Sequence, residues 1–171
     1  MSQALEFYVR NMGRMSQSSF LERVNCPVLV EATANAEANE NERAFRTEYV
    51  SLSDVMLSRA QSPGQREVLL VKKREGALFS GHIGVGRTPN LDICIPRHGI
   101  SKFHAYFSVA PDGSYQLTDK DSKNGTFVSG TRLTQGTPIQ VPNNTEVRFA
   151  AHVFRFMQPV PFYELIRSMA A

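Results

Sequence analysis

The sequence predicts an all-β sandwich of two antiparallel sheets in its C-terminal part, and two observations support this prediction. Eight short runs rich in β-branched and aromatic residues follow one another between residues 68 and 157. Turn-forming sequences separate these runs. In one of them, Pro111-Asp112-Gly113, Pro sets a negative φ, Asp can bond the backbone and Gly accepts a positive φ. Many short strands at this spacing are typical of a sandwich rather than of a parallel sheet.

The eight predicted strands are Val68–Val71, His82–Val85, Asp92–Ile95, Phe103–Val109, Tyr115–Thr118, Thr126–Val128, Glu146–Phe149 and Val153–Met157. After the last strand, apolar residues recur at helical spacing at Phe162, Leu165, Ile166 and Met169. We therefore expect a C-terminal helix that docks on the sandwich.

The composition of the chain changes near Pro63. Upstream, Leu5, Val9 and Met12 predict one face of a short helix, and Ser18 or Ser19 could cap a second helix that Pro27 ends. A short strand is predicted at Val28–Val30.

Residues 31–44 contain almost only Ala, Asn, Glu and Thr, which predicts a mobile linker or, alternatively, a fraying helix. A third, ambiguous apolar patch spans Tyr49–Leu57. We divide the chain into an N-terminal extension (1–65), the sandwich (66–157) and the C-terminal helix (158–171).

Composition limits the classes of function. The chain has 171 residues, 42% of them hydrophobic and 20% charged, and no apolar run approaches the roughly 20 residues of a membrane helix. Residues 1–10 lack the basic start and apolar middle of a secretory signal, so we expect a cytoplasmic protein with no membrane partner. Cys26 and Cys94 are too few for a disulfide framework and are expected to be free.

Charge is unevenly distributed. Residues 1–60 carry 6 Lys/Arg and 8 Asp/Glu, whereas residues 61–171 carry 13 and 8. A basic C-terminal part favours an anionic partner, either nucleic acid or a smaller group such as a phosphopeptide. The chain has no Trp and no basic cluster longer than Lys72-Lys73-Arg74, which argues against nucleic acid.

Four short motifs occur in order on the predicted strand pattern. They are Gly86-Arg87, Ser101-Lys102-Phe103-His104, Ser122-Lys123-Asn124-Gly125-Thr126 and Ser129-Gly130. This order resembles the signature of the forkhead-associated (FHA) family, Gly-Arg, Ser-x-x-His and Asn-Gly, over about residues 66–157. The resemblance implies an FHA/SMAD-like β-sandwich that binds phosphothreonine and catalyses nothing.

The resemblance also implies roles for individual residues. Arg87, Ser101 and Asn124 would hold the phosphothreonine and the backbone of its peptide, with Lys102 and Lys123 adding positive charge. These residue types suit the task, because phosphate carries about −1.5 to −2 charges and three acceptor oxygens, and Arg offers it a planar pair of charged donors. The resemblance also implies that the structure of the site is supported by Gly86, His104, Gly125 and Thr126.

Catalytic and metal sites are not predicted, nor is any cofactor. Ser101 and His104 could suggest a nucleophile and a base, but a spacing of three along a strand would place them on opposite faces. No G-x-S-x-G elbow surrounds the serine. His82, His98 and His152 are scattered, without Cys or carboxylates at ligand spacing.

Selectivity in this family often depends on the third residue after the phosphothreonine, which the loop before the serine helps to read. In this chain that loop contains Arg97, His98 and Gly99. Gly99 has no side chain, which favours weak selectivity or an apolar ligand residue, whereas Arg97 and His98 could favour an acidic one. The sequence leaves both alternatives open.

We therefore expect a phosphothreonine-peptide-binding module that recruits proteins phosphorylated by an upstream Ser/Thr kinase. The alternative is an FHA-fold scaffold for phosphate-independent assembly, as in a secretion or gene-regulatory complex. Thr33 and Thr47 lie on or beyond the predicted linker, and Thr47 follows Arg43 and Arg46 as many kinase sites do. If phosphorylated, Thr47 would occupy its own pocket or that of a neighbour, giving autoinhibition or self-association through the N-terminal extension.

Overall fold

The computed structural model describes residues 2–32 and 66–171. Two β-sheets face each other there, with three helices against the outer face of the larger sheet, and the predicted all-β sandwich is confirmed. The predicted linker beyond Ala32, the patch Tyr49–Leu57 and the threonines Thr33 and Thr47 lie outside the described residues.

The strands are β1 (Ser2–Ala4), β2 (Val28–Glu31), β3 (Glu67–Leu70), β4 (Ile83–Gly86), β5 (Ile93–Cys94), β6 (Ala105–Val109), β7 (Tyr115–Asp119), β8 (Thr126–Val128), β9 (Thr131–Arg132), β10 (Ile139–Gln140), β11 (Thr145–Phe149) and β12 (His152–Met157). The larger sheet has the order β1-β3-β2-β12-β11-β8-β9, and the smaller sheet has the order β10-β7-β6-β4-β5. Neighbouring strands are antiparallel except β4 and β5, which are parallel.

Within the described residues the helices are α1 (Leu5–Met12), α2 (Gln17–Arg23) and α3 (Pro159–Ala170). The sequence predicted all three, but the prediction for the ends of α2 was wrong. Its cap is Ser16, whose side chain accepts the N–H of Ser19 at 3.3 Å, and the helix ends at Arg23, well before Pro27. In the part of the chain that the structure describes, no helix is long and apolar enough to cross a bilayer.

Strand β2 lies inside the larger sheet, between β3 and β12. Its side chains alternate between two cores, because successive residues of a strand point to opposite faces. Leu29 joins the apolar core between the sheets, while Val28 and Val30 pack with the buried faces of the helices. Residues of the N-terminal extension thus help to build both cores. The division of the chain at residues 65 and 157 stays a prediction.

The hairpin between β6 and β7 shows how local sequence determines local structure. The Asp112 carboxylate accepts the backbone N–H of Ser114 at 2.9 Å, and Gly113 has a φ of 82°. Both features are those predicted for Pro111-Asp112-Gly113. The turn sets the register in which Ala105 pairs with Asp119 at the other end of the hairpin. This end carries the loops that hold the candidate site.

Candidate functional site

Three loops meet around Ser101. The backbone N–H of Arg87, directly after β4, donates to the Ser101 carbonyl at 3.0 Å. The backbone N–H of Lys123, in the loop between β7 and β8, donates to the Ser101 hydroxyl oxygen at 3.1 Å. Residues predicted from three separate motifs are therefore adjacent in space.

Asn124 belongs to the same cluster of residues around Ser101. Its side-chain amide donates to the carbonyl of Gly99 at 2.8 Å, which ties the loop before β8 to the loop before β6. This bond uses one of the two amide hydrogens and leaves the other hydrogen and the side-chain carbonyl for further bonds. Asn124 itself is exposed, so these groups are accessible to a ligand.

Positive charge is exposed at the cluster. The side chains of Arg87, Lys102 and Lys123 are all exposed. Within residues 2–32 and 66–171, none of these three side chains has a hydrogen-bond or ion-pair partner. Three cations next to hydroxyl and amide donors form a surface suited to an anion.

His104 lies beneath the cluster and is fully buried. Its Nδ1 accepts the backbone N–H of Ser101 at 3.1 Å, which assigns the proton to Nε2. That Nε2–H then donates to the carbonyl of Gly125 at 3.1 Å. Burial lowers the pKa of His104, although its bond to Gly125 and the charge of Asp119 oppose the shift. The neutral imidazole therefore links the two loops from below.

The position of His104 differs from our prediction. We expected it on a strand, facing away from Ser101, but β6 begins only at Ala105 and the ring reaches back to the Ser101 backbone. The imidazole accepts the amide of Ser101, while the hydroxyl of Ser101 accepts from Lys123. The pair thus lacks the hydroxyl–imidazole hydrogen bond that activates a serine nucleophile.

Asp119, at the end of β7, shapes the loop that carries Asn124. Its carboxylate accepts hydrogen bonds from the Ser122 backbone and hydroxyl at 3.0 and 2.5 Å, and from the Thr126 hydroxyl at 2.6 Å. Burial by itself would raise the pKa of Asp119, but these hydrogen bonds outweigh it and lower the pKa below its ordinary value. Thr126, predicted as a supporting residue, acts through this carboxylate.

Two glycines allow close approach at the cluster. A Cβ on Gly86 would lie 2.3 Å from the Lys102 carbonyl oxygen, so only glycine lets β4 run against the loop before β6. Gly125 has a φ of +84°, and a Cβ there would also lie 2.8 Å from Nε of Arg132. Both residues therefore have steric reasons for lacking a side chain.

The three residues of the predicted specificity loop have different surroundings. Arg97 forms ion pairs with Glu31 and Glu67, and its side chain is only 14% exposed. The carbonyl of His98 is 2.9 Å from Nε2 of His152.

Gly99 has a φ of +82°, and a Cβ there would lie 3.3 Å from the Asn124 amide. Its conformation and this contact account for glycine at the position without reference to a ligand.

Sequence reasoning did not identify Glu31, Glu67 or Ser122 as residues that support the site. The spacing Asp119-x-x-Ser122 is a recognisable side-chain-to-backbone turn signal. The two glutamates carry no such local signal, because they contact Arg97 across 66 and 30 residues of sequence.

A surface cavity of about 580 Å³ lies elsewhere, between the α1–α2 connection and α3. Arg14, Ser16, Tyr163 and Arg167 are among its lining residues. None of the predicted site residues lines this cavity.

The sequence matches a known family. The model of the FHA domain matches residues 83–150, which include Arg87, Ser101 and Asn124. The chain contains an FHA domain. FHA domains are phosphothreonine-binding modules.

One curated relative and two solved structures illustrate the similarity of this FHA domain. An Arabidopsis thaliana homolog of the protein phosphatase 1 regulatory inhibitor subunit PPP1R8 is 33% identical over 70 residues, which are 41% of this chain and 19% of that protein. The matched part thus spans about a fifth of that relative's length.

The FHA domain of CT664 from Chlamydia trachomatis is 29% identical, with a TM-score of 0.42 over 47% of this chain and 81% of that one. The yeast Dun1 FHA domain, solved with a doubly phosphorylated peptide derived from Rad53, is 25% identical. Its TM-score is 0.44 over 57% of this chain and 69% of that one.

Proposed function

We propose that this chain binds phosphothreonine-containing peptides and thereby recruits proteins phosphorylated by a Ser/Thr kinase in the cytoplasm. The observation that carries the proposal is the convergence of Arg87, Ser101 and Asn124 from three loops. Each of these side chains keeps donors that its contacts with neighbouring loops do not use.

Arg87 and Ser101 would contact the phosphate. The exposed guanidinium of Arg87 offers paired N–H donors that match two phosphate oxygens. Because the Ser101 hydroxyl oxygen accepts from Lys123, its own hydrogen is free to be donated to a third oxygen. Lys102 and Lys123 would add positive charge without requiring a fixed geometry.

Asn124 would make the site select a peptide rather than free phosphate. Its remaining amide hydrogen and its carbonyl can pair with backbone groups on either side of the phosphothreonine. The bond to Gly99 holds the side chain in place for this role, so less conformational entropy is lost on binding.

The expected affinity is moderate. A hydrogen bond to a charged group contributes about 1.5–3 kcal/mol net. Three or four such bonds, reduced by the cost of ordering a flexible peptide, correspond to a micromolar dissociation constant, about −8 kcal/mol. Binding of this strength is reversible, as a kinase-controlled interaction requires.

The test is a fluorescence-anisotropy titration with one peptide sequence in three forms, carrying phosphothreonine, phosphoserine or unmodified threonine. We expect the phosphothreonine form to bind most tightly and Arg87→Ala to weaken it at least about tenfold. Arg167→Ala, on the exposed side of α3, is the matched control and should bind like the unaltered protein. Equal binding of all three peptides would contradict the proposal and favour the phosphate-independent scaffold.

A further inference from the structure

The loop before β6 is attached to the N-terminal strand through one arginine. Arg97 donates to both carboxylate oxygens of Glu31, the last residue of β2. The distance from Nη2 of Arg97 to Oε2 of Glu31 is 3.2 Å. The same Nη2 donates to Glu67, the first residue of β3, at 2.8 Å. One guanidinium thus joins the loop to two neighbouring strands of the larger sheet.

The carboxylate of Glu31 also contacts the backbone of strand β3. The backbone N–H of Glu67 donates to a carboxylate oxygen of Glu31 at 3.1 Å. The side chains of Arg97, Glu31 and Glu67 are 14%, 22% and 15% exposed. Burial lowers the pKa of Arg97, but the hydrogen bonds and charges of the two glutamates outweigh it, and the pKa is raised. The guanidinium of Arg97 is therefore charged near neutral pH.

Arg97 is also part of the loop's own hydrogen bonding. Its backbone carbonyl accepts the N–H of Ile100 at 3.3 Å, and its backbone N–H donates to the carbonyl of Ile95 at 2.8 Å. Two residues further on lies Gly99, whose carbonyl receives the Asn124 amide. The position of the guanidinium therefore helps to determine where Gly99 and Ser101 lie.

The charges of Arg97, Glu31 and Glu67 have a second consequence. One guanidinium and two carboxylates give a net formal charge of −1, so these three residues together do not present a free cation to a ligand. An acidic ligand side chain near Arg97 would meet repulsion where the sequence alone suggested attraction.

We propose that Arg97 is a positioning residue, held by Glu31 and Glu67 so that it orients the loop before Ser101 and withholds its charge from the ligand. The selectivity of the site then depends on strand β2, which lies outside the region that matches the FHA family. The part of this inference that concerns ligand selection rests on the proposed phosphothreonine binding. The part that concerns loop position does not.

The test uses the full chain and the single variants Glu31→Gln and Glu67→Gln, each of which keeps the side-chain shape and leaves in place the ion pair of Arg97 with the other glutamate. Glu164→Gln, on the exposed face of α3, removes the same charge elsewhere and is the control. Amide hydrogen exchange of Ile100 and Ser101 in the free protein reports on the loop. Titration with phosphothreonine peptides that carry Asp or Ala at each of the four following positions reports on selectivity.

We expect both variants to accelerate exchange of the two amides about two- to fivefold, because each loses one partly exposed ionic contact. The affinity for an Asp peptide relative to the matching Ala peptide should rise about three- to fivefold. Glu164→Gln should match the unaltered protein in both measurements.

The outcomes separate this inference from the proposed function. If the unaltered chain binds phosphothreonine peptides through Arg87, but neither glutamine variant changes exchange or selectivity, the role of Arg97 is refuted and the proposed function stands. If the unaltered chain binds none of the peptides, the proposed function and the selectivity role fail together. In that case, exchange rates in Glu31→Gln and Glu67→Gln that equal those in Glu164→Gln refute the positioning role as well. Faster exchange in the two variants supports it.

Discussion

The hydroxyl oxygen of Ser101 accepts the backbone N–H of Lys123 at 3.1 Å, and this bond joins the loop before β6 to the loop before β8. His104 links the same two loops from below, through the Ser101 amide and the Gly125 carbonyl. The cluster is therefore held together independently of any ligand, which reduces the entropy that binding must overcome.

Ser101→Ala should weaken phosphothreonine-peptide binding about tenfold or more. The change removes both a donor to the phosphate and the acceptor for Lys123, and a hydrogen bond to a charged group is worth about 1.5–3 kcal/mol. Isothermal titration calorimetry measures the effect. Ser168→Ala, which removes a hydroxyl bonded to Leu165 in α3, is the control and should leave the affinity unchanged. An unaltered affinity for Ser101→Ala would rule out its phosphate contact.

His104→Ala should lower the free energy of unfolding by about 2–5 kcal/mol. It leaves the Ser101 amide without its partner, at about 1–3 kcal/mol, and removes one of the two hydrogen bonds that the Gly125 carbonyl accepts, at about 1 kcal/mol, while the bond from the Ala150 N–H remains. It also empties a fully buried position. Urea denaturation gives the value, and His82→Ala, an exposed histidine, should cost less than about 1 kcal/mol. Similar losses for the two variants would contradict the supporting role of His104.

Stability should fall as the pH drops below 6.5. Burial lowers the pKa of both His104 and His152 in the folded protein, whereas their ordinary value is 6.5. Below pH 6.5 the unfolded chain therefore binds protons that the folded chain resists, and the free energy of unfolding decreases.

Urea midpoints measured from pH 7.5 to pH 4.5 test this expectation. The decline should be smaller in a His104→Gln variant, because one of the two shifted groups is gone. Asp119 should add to the loss of stability at still lower pH, because its pKa in the folded protein lies below its ordinary value of 3.8. A midpoint that stays constant between pH 6.5 and 4.5 would show that neither histidine is held neutral by burial.

Gly86→Ala should destabilise the domain by more than about 2 kcal/mol and weaken peptide binding. Its Cβ would lie 2.3 Å from the Lys102 carbonyl oxygen and 2.7 Å from Leu91 Cδ1, so β4 must move away from the loop that carries Ser101.

Gly84→Ala is the matched control in the same strand, because the nearest atom to its Cβ would be Leu91 Cδ2, the end of a side chain, at 3.0 Å, and the next nearest would be Phe103 Cε2 at 3.5 Å. We expect it to cost less than about 1 kcal/mol. Thermal denaturation of both variants compares them, and equal melting temperatures would show that the loop tolerates a side chain at Gly86.

Most of the sandwich could be predicted from the sequence because its signals are local. Alternating side chains and turn residues predicted β6, β7, β8 and β11 to within two residues at each end. The strands that were not predicted, β1, β9 and β10, have only two or three residues. A run that short shows no alternation to detect, and β8, which has three residues, was predicted from the turn residues that precede it.

The candidate site, too, could be predicted only in part from the sequence. The sequence alone determined which residue types follow the strands, and the ordered motifs around Arg87, Ser101 and Asn124 predicted the loops that meet. Only the tertiary structure decided that Val28–Glu31 inserts between β3 and β12, and that Arg97 contacts Glu31 and Glu67 rather than remaining open to a ligand. The physical reason is that strand pairing and ion pairs between distant residues depend on how the whole chain packs, which no local pattern records.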